Sequence, residues 1–338
     1  MRQLLISLFF FAFLFSYLSI PFFERFARKK GFVTTTNPDK IDKRSVPYLG
    51  GLAIYLSTLA VSFAGHLVFP GMISASVFYP FIFSASLIAF FGFLDDVYEL
   101  GPFKKLTGQF IGAAVFVFFS LKTEIIFLNE PLNVILSLAW IIMMINAINL
   151  LDIMDGLAGS ISFLNIFSLL VLAIITRNYF AMVIAAPVLG ALFAFLRFNF
   201  PPARIFMGDT GSQFLGFLQG ALAIAMSYST TGREAGLFIP MIIFSVPLFD
   251  MGFVVYMRLR QKKSIFLKSN DHFVFRMLKL GVPVQKILKM MILISVFTNC
   301  CAFLISRVSN TIGLIIFLPV IAMLFFIGIK LSQLDLSK

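Results

Sequence analysis

Residues 146–160 read NAINLLDIMDGLAGS, which places Asn146, Asn149, Asp152 and Asp155 at steps of three. The apolar run ILSLAWIIMMI (135–145) leads into them, and ISFLNIFSLLVLAII (161–175) follows. An Asp at the centre of a spanning helix costs roughly 2.5 to 3.5 kcal/mol on insertion scales. Two Asp beside two Asn between such runs therefore point to a helix end that opens into a watery, charge-binding cleft. Each step of three rotates a helical position by about 60° backwards, so only neighbours such as Asn149 and Asp152 share a face. The helix is expected to stop near Asp152, with Gly156 and Gly159 letting the backbone turn and pack closely. Taken alone, the stretch also reads as a short loop with polar caps.

Working outward, the chain is 60% hydrophobic and 12% charged, with 45 Phe among 338 residues. A water-soluble domain of this length cannot bury so many, so the class is a multi-spanning membrane protein. Polar breaks leave about eleven apolar runs near 20 residues long, which fits helices and not the ten-residue alternating strands of an outer-membrane barrel. The runs are 4–23, 49–69, 79–94, 106–121, 132–150, 158–175, 179–196, 213–230, 236–256, 287–305 and 311–329. The expected fold is all-α, one integral-membrane domain over 1–338. Its active-site loops are expected near 24–48, 95–105, 149–158, 197–211 and 257–286. Cys300 and Cys301 are adjacent in an apolar run, where they are poorly placed to bridge each other or to ligate metal, and read as packing residues.

The net charge of +12 would suggest nucleic acid in a soluble protein. Here the placement of the charges decides, and no nucleic-acid partner is expected. Arg25, Arg28, Lys29 and Lys30 follow the first run, against Arg2 before it, which puts the amino terminus outside and, after eleven crossings, the carboxyl terminus in the cytoplasm. In that arrangement 22 of the 27 Lys and Arg fall on the cytoplasmic side, leaving Arg2, Lys122, Arg177, Arg233 and Arg307 outside. The basic loops would also lie against anionic lipid head groups.

Every other polar cluster falls on that same side. Asp95 and Asp96, in GFLDDVYELGPFKKLTGQ (92–109), repel each other unless a cation, a proton or a basic partner joins them. Lys104 and Lys105 follow closely enough to bind phosphate oxygens, although a charged interfacial loop would look similar. In RIFMGDTGSQFLG (204–216), Gly208 and Gly211 flank Asp209 and allow a tight backbone that brings a carboxylate and N–H groups towards a metal-bound phosphate. Thr210 and Ser212 are candidates to cap the next helix, and Phe206 offers a flat face for a base. No GxxxxGK[ST] occurs, which disfavours a P-loop. In the basic segment 258–281, His272 and Arg276 stand one helical turn apart and could meet one anion, or be solvated loop residues.

Taken together, these motifs resemble the polyprenyl-phosphate N-acetylhexosamine-1-phosphate transferases, relatives of the MurNAc-pentapeptide phosphotransferases. The resemblance rests on NPDKIDKRSVPYLGG (37–51), FLDD (93–96) followed by KLTGQ (105–109), NAINLLDIMDGLAG, IFMGDTGS (205–212) and VPLFDMGFVVYMRLRQKKSIF (246–266). It implies transfer of a sugar 1-phosphate from a UDP-sugar to undecaprenyl phosphate, with release of UMP, in a bacterial inner membrane with the site facing the cytoplasm. The cell-envelope glycan so started would be a teichoic acid, an O-antigen or a peptidoglycan intermediate. By the same resemblance Asn149 and Asp209 would ligate Mg²⁺, with Mn²⁺ as a substitute. Asp95, Asp96 and Asp152 would be catalytic. Lys105 would bind phosphate, Phe206 would stack the uracil, Asp155 would lie near the nucleoside, and His272 and Arg276 would contact substrate. A homodimer is compatible with it.

The chain departs from the family pattern in three places. Relatives usually read Asp-Gly-Ile/Leu-Asp-Gly where this chain has Asp152-Ile153-Met154-Asp155-Gly156, and many carry HxHH where it has His272-Phe273-Val274-Phe275. Asp42 stands where a His is common and Asp39 where a basic residue is common. The lost histidines favour an N-acetylhexosamine donor, GlcNAc first, over UDP-MurNAc-pentapeptide. Two other readings remain. A degenerate homologue would bind UDP-sugar or lipid without catalysis. A secondary transporter would need a repeat and a midplane site, and the polar clusters here gather on one face instead.

Overall fold

A computed structural model describes residues 1–34, 45–226, 234–264 and 271–333. Asp39 and Asp42 lie outside the described residues. The helices are α1 (Arg2–Lys30), α2 (Gly50–Val68), α3 (Ala75–Tyr98), α4 (Pro102–Phe119), α5 (Glu130–Leu151), α6 (Leu157–Thr176), α7 (Tyr179–Asn199) and α8 (Gly208–Ala225). A 3₁₀ turn (Glu234–Phe238) then leads to α9 (Ile239–Ile243), α10 (Ser245–Arg260), α11 (Phe273–Lys279), α12 (Val284–Ile305) and α13 (Asn310–Ser332). The described residues contain no named strand, only an isolated bridge between Val33 and Pro47. Among the described residues each of the eleven expected runs coincides with a helix, the ninth with a pair bent by 73° between the 3₁₀–α9 segment and α10. Among the described residues eight helices are long and apolar enough to cross a membrane, or nine if the bent pair is one span. The two expected spans outside that set are α4 and α8, whose first turns carry Lys104, Lys105 and Asp209.

The chain divides into two compact units, Met1–Met226 and Ser227–Lys338. In the first unit α7 is the central helix, almost wholly buried, with α1, α2 and α6 packed on it, while α8 lies against α2, α3 and α5. Small residues permit these approaches. A Cβ on Gly51 would lie 2.2 Å from the backbone nitrogen of Gly211, so α2 and α8 touch backbone to backbone. The exposed side chains of α1 are largely Phe and Leu, as a lipid-facing helix requires. Past its apolar run α1 continues to Lys30, because Arg28, Lys29 and Lys30 complement the negative helix end and Gly31 closes it in the left-handed conformation, φ 80°.

Candidate active site

Four helix ends of the first unit meet at one place: the carboxyl ends of α3 and α5 and the amino ends of α4 and α8. Helix α3 runs on past Asp95 and Asp96 and stops where Glu99 turns left-handed, φ 46°. Pro102 opens α4 after only three linking residues, at the first position of a helix where its missing N–H is harmless. The tight turn is held by the Leu100 N–H donating to Asp95 Oδ1 at 2.8 Å. It swings Lys105 back so that its Nζ lies 2.8 Å from Asp95 Oδ2.

The Lys105 ammonium also donates to Asn149 Oδ1 at 2.8 Å and to Asp209 Oδ1 at 2.9 Å. Three oxygens from three helix ends therefore converge on one cation. Asn149 in turn donates from Nδ2 to Asp209 Oδ1 and, at 2.9 Å, to Ser212 Oγ. Asp96 does something different from its neighbour. Its Oδ1 accepts the Asp209 N–H at 2.7 Å, and its Oδ2 accepts the Thr210 N–H at 2.9 Å and the Thr210 hydroxyl at 2.6 Å. The carboxylate thus caps α8 from another helix, where orphan N–H groups and the positive helix end favour an anion. Thr210 and Ser212 do not take the expected capping role, because a charged carboxylate outcompetes a hydroxyl for those donors. Gly208, at φ 70°, permits the contact; a Cβ there would lie 2.8 and 2.9 Å from the two Asp96 oxygens.

The remaining expected residues divide. Asp152 ends α5, as the sequence predicts, and burial together with the charges of Asp209, Asp96 and Asp155 pushes its carboxyl up to about 7. Asp155 Oδ2 accepts the Ala203 N–H at 2.8 Å, which ties the loop after α5 to the loop after α7. Asn199 braces the same loops, accepting from the Gly156 N–H and donating to the Ile205 carbonyl. Phe206 is half-buried, its N–H on the Pro47 carbonyl at 2.7 Å and its own carbonyl accepting from Gly50. His272 and Arg276 belong to the second unit: His272 Nδ1 lies 2.8 Å from Asp250 Oδ2, and Arg276 donates to the Leu331 carbonyl and stacks over Phe253.

Sequence reasoning passed over Gln109, Gln213 and Asp250. Gln109 is four residues after Lys105, and Gln213 four after Asp209, so each lies one turn deeper on the same face. Gln109 donates to Gln213 Oε1 at 3.2 Å and accepts from Asn146 Nδ2 at 2.7 Å. That i, i+4 spacing was the available signal. Asp250 lies within the quoted 246–266 motif, with nothing in its neighbours to mark it.

In chemical terms Asp95, Asp96 and Asp209 set three carboxylates against the one ammonium of Lys105. The donor set is oxygen only, suited to a hard divalent cation, and Lys105 shows that these oxygens can close around a positive charge. Among the described residues no group of three or more His, Cys, Asp or Glu is arranged to hold a metal ion by itself.

A family model described as glycosyl transferase family 4 matches residues 77–227, which contain every expected site residue except His272 and Arg276. The chain is 30% identical over 331 residues to a probable undecaprenyl-phosphate N-acetylglucosaminyl 1-phosphate transferase of Bacillus subtilis, covering 93% of this chain and 89% of that protein. It is 27% identical to a decaprenyl-phosphate N-acetylglucosaminephosphotransferase of Mycobacterium leprae, covering 70% and 67%. It is 30% identical to a phospho-N-acetylmuramoyl-pentapeptide-transferase of Streptococcus gordonii, covering 78% and 86%. The chain therefore belongs to this family of multi-pass membrane phosphotransferases, which place a sugar 1-phosphate on a polyprenyl phosphate.

Proposed function

We propose that the protein transfers N-acetylhexosamine 1-phosphate, GlcNAc 1-phosphate in the first instance, from a UDP-sugar to undecaprenyl phosphate, and so starts a cell-envelope glycan. The observation that carries this is the meeting of Asp95, Lys105, Asn149 and Asp209 at four helix ends, in a chain similar along its length to a transferase with that name. An oxygen of the lipid phosphate attacks the phosphorus that bears the sugar. The bond from that phosphorus to the oxygen bridging to UMP breaks, and UMP leaves with the electron pair. A phosphate monoester is already largely deprotonated near pH 7, so direct attack needs no covalent enzyme intermediate.

In this reading Asn149 and Asp209, with Asp95 beside them, would hold Mg²⁺, which neutralises phosphate charge as the reacting groups are brought in line. Lys105 moves from its carboxylate partners to a phosphate oxygen when the donor enters. Asp96 keeps the amino end of α8 in place, so that Asp209 faces the phosphates. Phe206 stacks the uracil and Asp155 orients the nucleoside. The eleven helical runs all cross the membrane, with the amino terminus outside and the site on the cytoplasmic face of the inner membrane.

The test is incorporation of radiolabel from UDP-GlcNAc, and separately UDP-GalNAc, into organic-extractable undecaprenyl-linked product by the purified protein, with and without Mg²⁺. Mg²⁺-dependent label that vanishes in Asp209→Asn supports the reading and names the sugar. Binding of UDP-sugar without product across a panel of donors would refute it.

A further inference from the structure

We propose that Asp250 is a positioning residue for His272, the two forming a buried carboxylate–imidazole dyad that fixes Nδ1 as the protonated nitrogen and reserves Nε2 for a phosphate group. The proposal deepens the transferase reading and rests on it for the ligand. The observations lie in the second unit. Helix α10 places Asp250 in its second turn, fully buried, with Oδ2 at 2.8 Å from His272 Nδ1. His272 stands at the amino-terminal cap position of α11, 3% exposed, yet makes no side-chain capping bond. Its imidazole is thus turned away from the backbone donors that a polar side chain there would ordinarily serve, and towards the carboxylate.

A structural staple between α10 and α11 explains less. Those segments are already tied together by Gln261 Nε2 donating to Asp271 Oδ1 at 3.0 Å and by Arg258 and Arg276 approaching Asp271 at 4.0 and 3.9 Å. Arg276 fastens α11 to α13 through the Leu331 carbonyl at 3.0 Å. A further buried carboxylate adds little as a fastener, since desolvating it offsets most of the gain. Asp250 also leaves Oδ1 buried without a hydrogen-bond partner, which a staple would have satisfied. An acceptor set against one ring nitrogen does have a specific effect: it selects the tautomer and ring orientation, and it stabilises the imidazolium when the far nitrogen gains a proton. The Phe275 ring lies 6.1 Å from the imidazole, and both members of the pair are buried, a low-dielectric setting that strengthens the bond.

The ligand chemistry follows. With Nδ1–H on Asp250, Nε2 is the nitrogen left to take a further proton, from solvent water or from the singly protonated fraction of a phosphate monoester. The Nε2–H then donates to an anionic phosphate oxygen, and Asp250 balances the imidazolium.

The chain has two histidines, His66 and His272, so a uniformly ¹⁵N-histidine-labelled full-length protein gives a readable spectrum. The signals are assigned by difference from His272→Gln. Nδ1 of His272 is expected to carry a proton throughout the pH range in which the protein is folded. In Asp250→Asn, whose amide can donate to Nδ1 instead of accepting, the proton moves to Nε2, and kcat falls on the order of 100-fold with little change in KM for the donor. Asp250→Glu, which restores an acceptor, recovers part of both. An unprotonated Nδ1 in the wild type overturns the dyad, as does an Asp250→Asn protein with wild-type turnover. If Asp250→Asn fails to fold, the wild-type spectrum still decides. An inert wild type with Nδ1 protonated would refute the transferase reading and uphold the dyad.

Discussion

Replacement of Gly208 by alanine is the sharpest test of how the site is built. At φ 70° an L-residue costs about 1 to 2 kcal/mol. The new Cβ would lie 2.5 Å from the Tyr48 carbonyl oxygen and 2.8 and 2.9 Å from the Asp96 oxygens. The carbonyl has little freedom to retreat, because the Tyr48 N–H is bound to Phe32 and the neighbouring Pro47 carbonyl accepts from Phe206. The Asp96 carboxylate must therefore swing away, releasing its bonds from Asp209 and Thr210, and relieving such a clash typically costs a further 1 to 3 kcal/mol. The total is about 2 to 5 kcal/mol. At about 2 to 4 °C per kcal/mol, the melting temperature of the detergent-purified protein should fall by roughly 4 to 20 °C. Turnover should fall at least about tenfold even well below the new melting point, because Asp209 moves with the helix start. Gly252→Ala is the control: nothing lies within 4 Å of that Cβ, its φ is ordinary, and helix propensity predicts a neutral or slightly stabilising change. If Gly208→Ala melts with the wild type and turns over within twofold of it, the capping account of Asp96 is wrong.

Three other outcomes are expected. Lys105→Met removes the ammonium shared by Asp95, Asn149 and Asp209, so turnover should fall by roughly 100-fold or more, while added Mg²⁺ should raise the melting temperature further than it does in the wild type; a smaller Mg²⁺ response would contradict the geometry. Asp152, pushed up to about 7, is favoured in its protonated form by the fold. Its stabilising contribution is full below the ordinary carboxylate pKa and is lost as pH rises through about 7, so the cation-free protein should melt higher near pH 5.5 than near pH 8. Asp152→Asn should flatten that profile, and an unchanged slope would assign it to other groups. Asn133→Ala should loosen the 121–130 segment, since the Asn133 amide accepts from the Ile125 N–H at 3.0 Å and donates to the Ile125 and Leu128 carbonyls; limited proteolysis would show the new cleavage, with turnover unaffected.

Helix positions were legible because the apolar runs are long and their polar breaks sharp, and the stop at Asp152 followed from polar residues too costly to leave in a spanning segment. Helix extensions were less legible. Basic residues after α1 and the acidic pair at the end of α3 read as loop, yet both continue their helices, because charge at a helix end and a left-handed closing residue matter more there than hydropathy. In the site, the acidic pair was expected to need a cation, a proton or a basic partner, and Lys105 is the partner of Asp95, returned to it by a turn of only three linking residues. Spacing did not separate the roles of Asp95 and Asp96. Adjacent residues on a helix point about 100° apart, and only the packed position of α8 decides which one meets its N–H groups. Nor did it find Asp250, whose partner is 22 residues away and is set by tertiary packing alone.

The amides beneath the site explain how charge is held at this depth. Helices α4 and α8 run away from the charged residues and α5 runs towards them. A step of four forward from Lys105 and from Asp209, and of three back from Asn149, therefore reaches Gln109, Gln213 and Asn146 in one hydrogen-bonded group. A second group lies further along α8, where Gln219 joins Asn165 and Ser162 across α6. Apolar side chains would fill the same space in a membrane helix bundle at little cost in stability, so stability does not account for these amides. Register does. Turning α8 by one residue would break the bonds to Gln109 and Asn165 together with the Asp96 cap, and each break would leave a buried polar group unpaired. Apolar packing tolerates such slips, and a lysine shared among three oxygens at 2.8 to 2.9 Å does not. The polar layers inside the bundle thus fix the rotation of each helix, and that rotation is what brings Lys105, Asn149 and Asp209 to a single point.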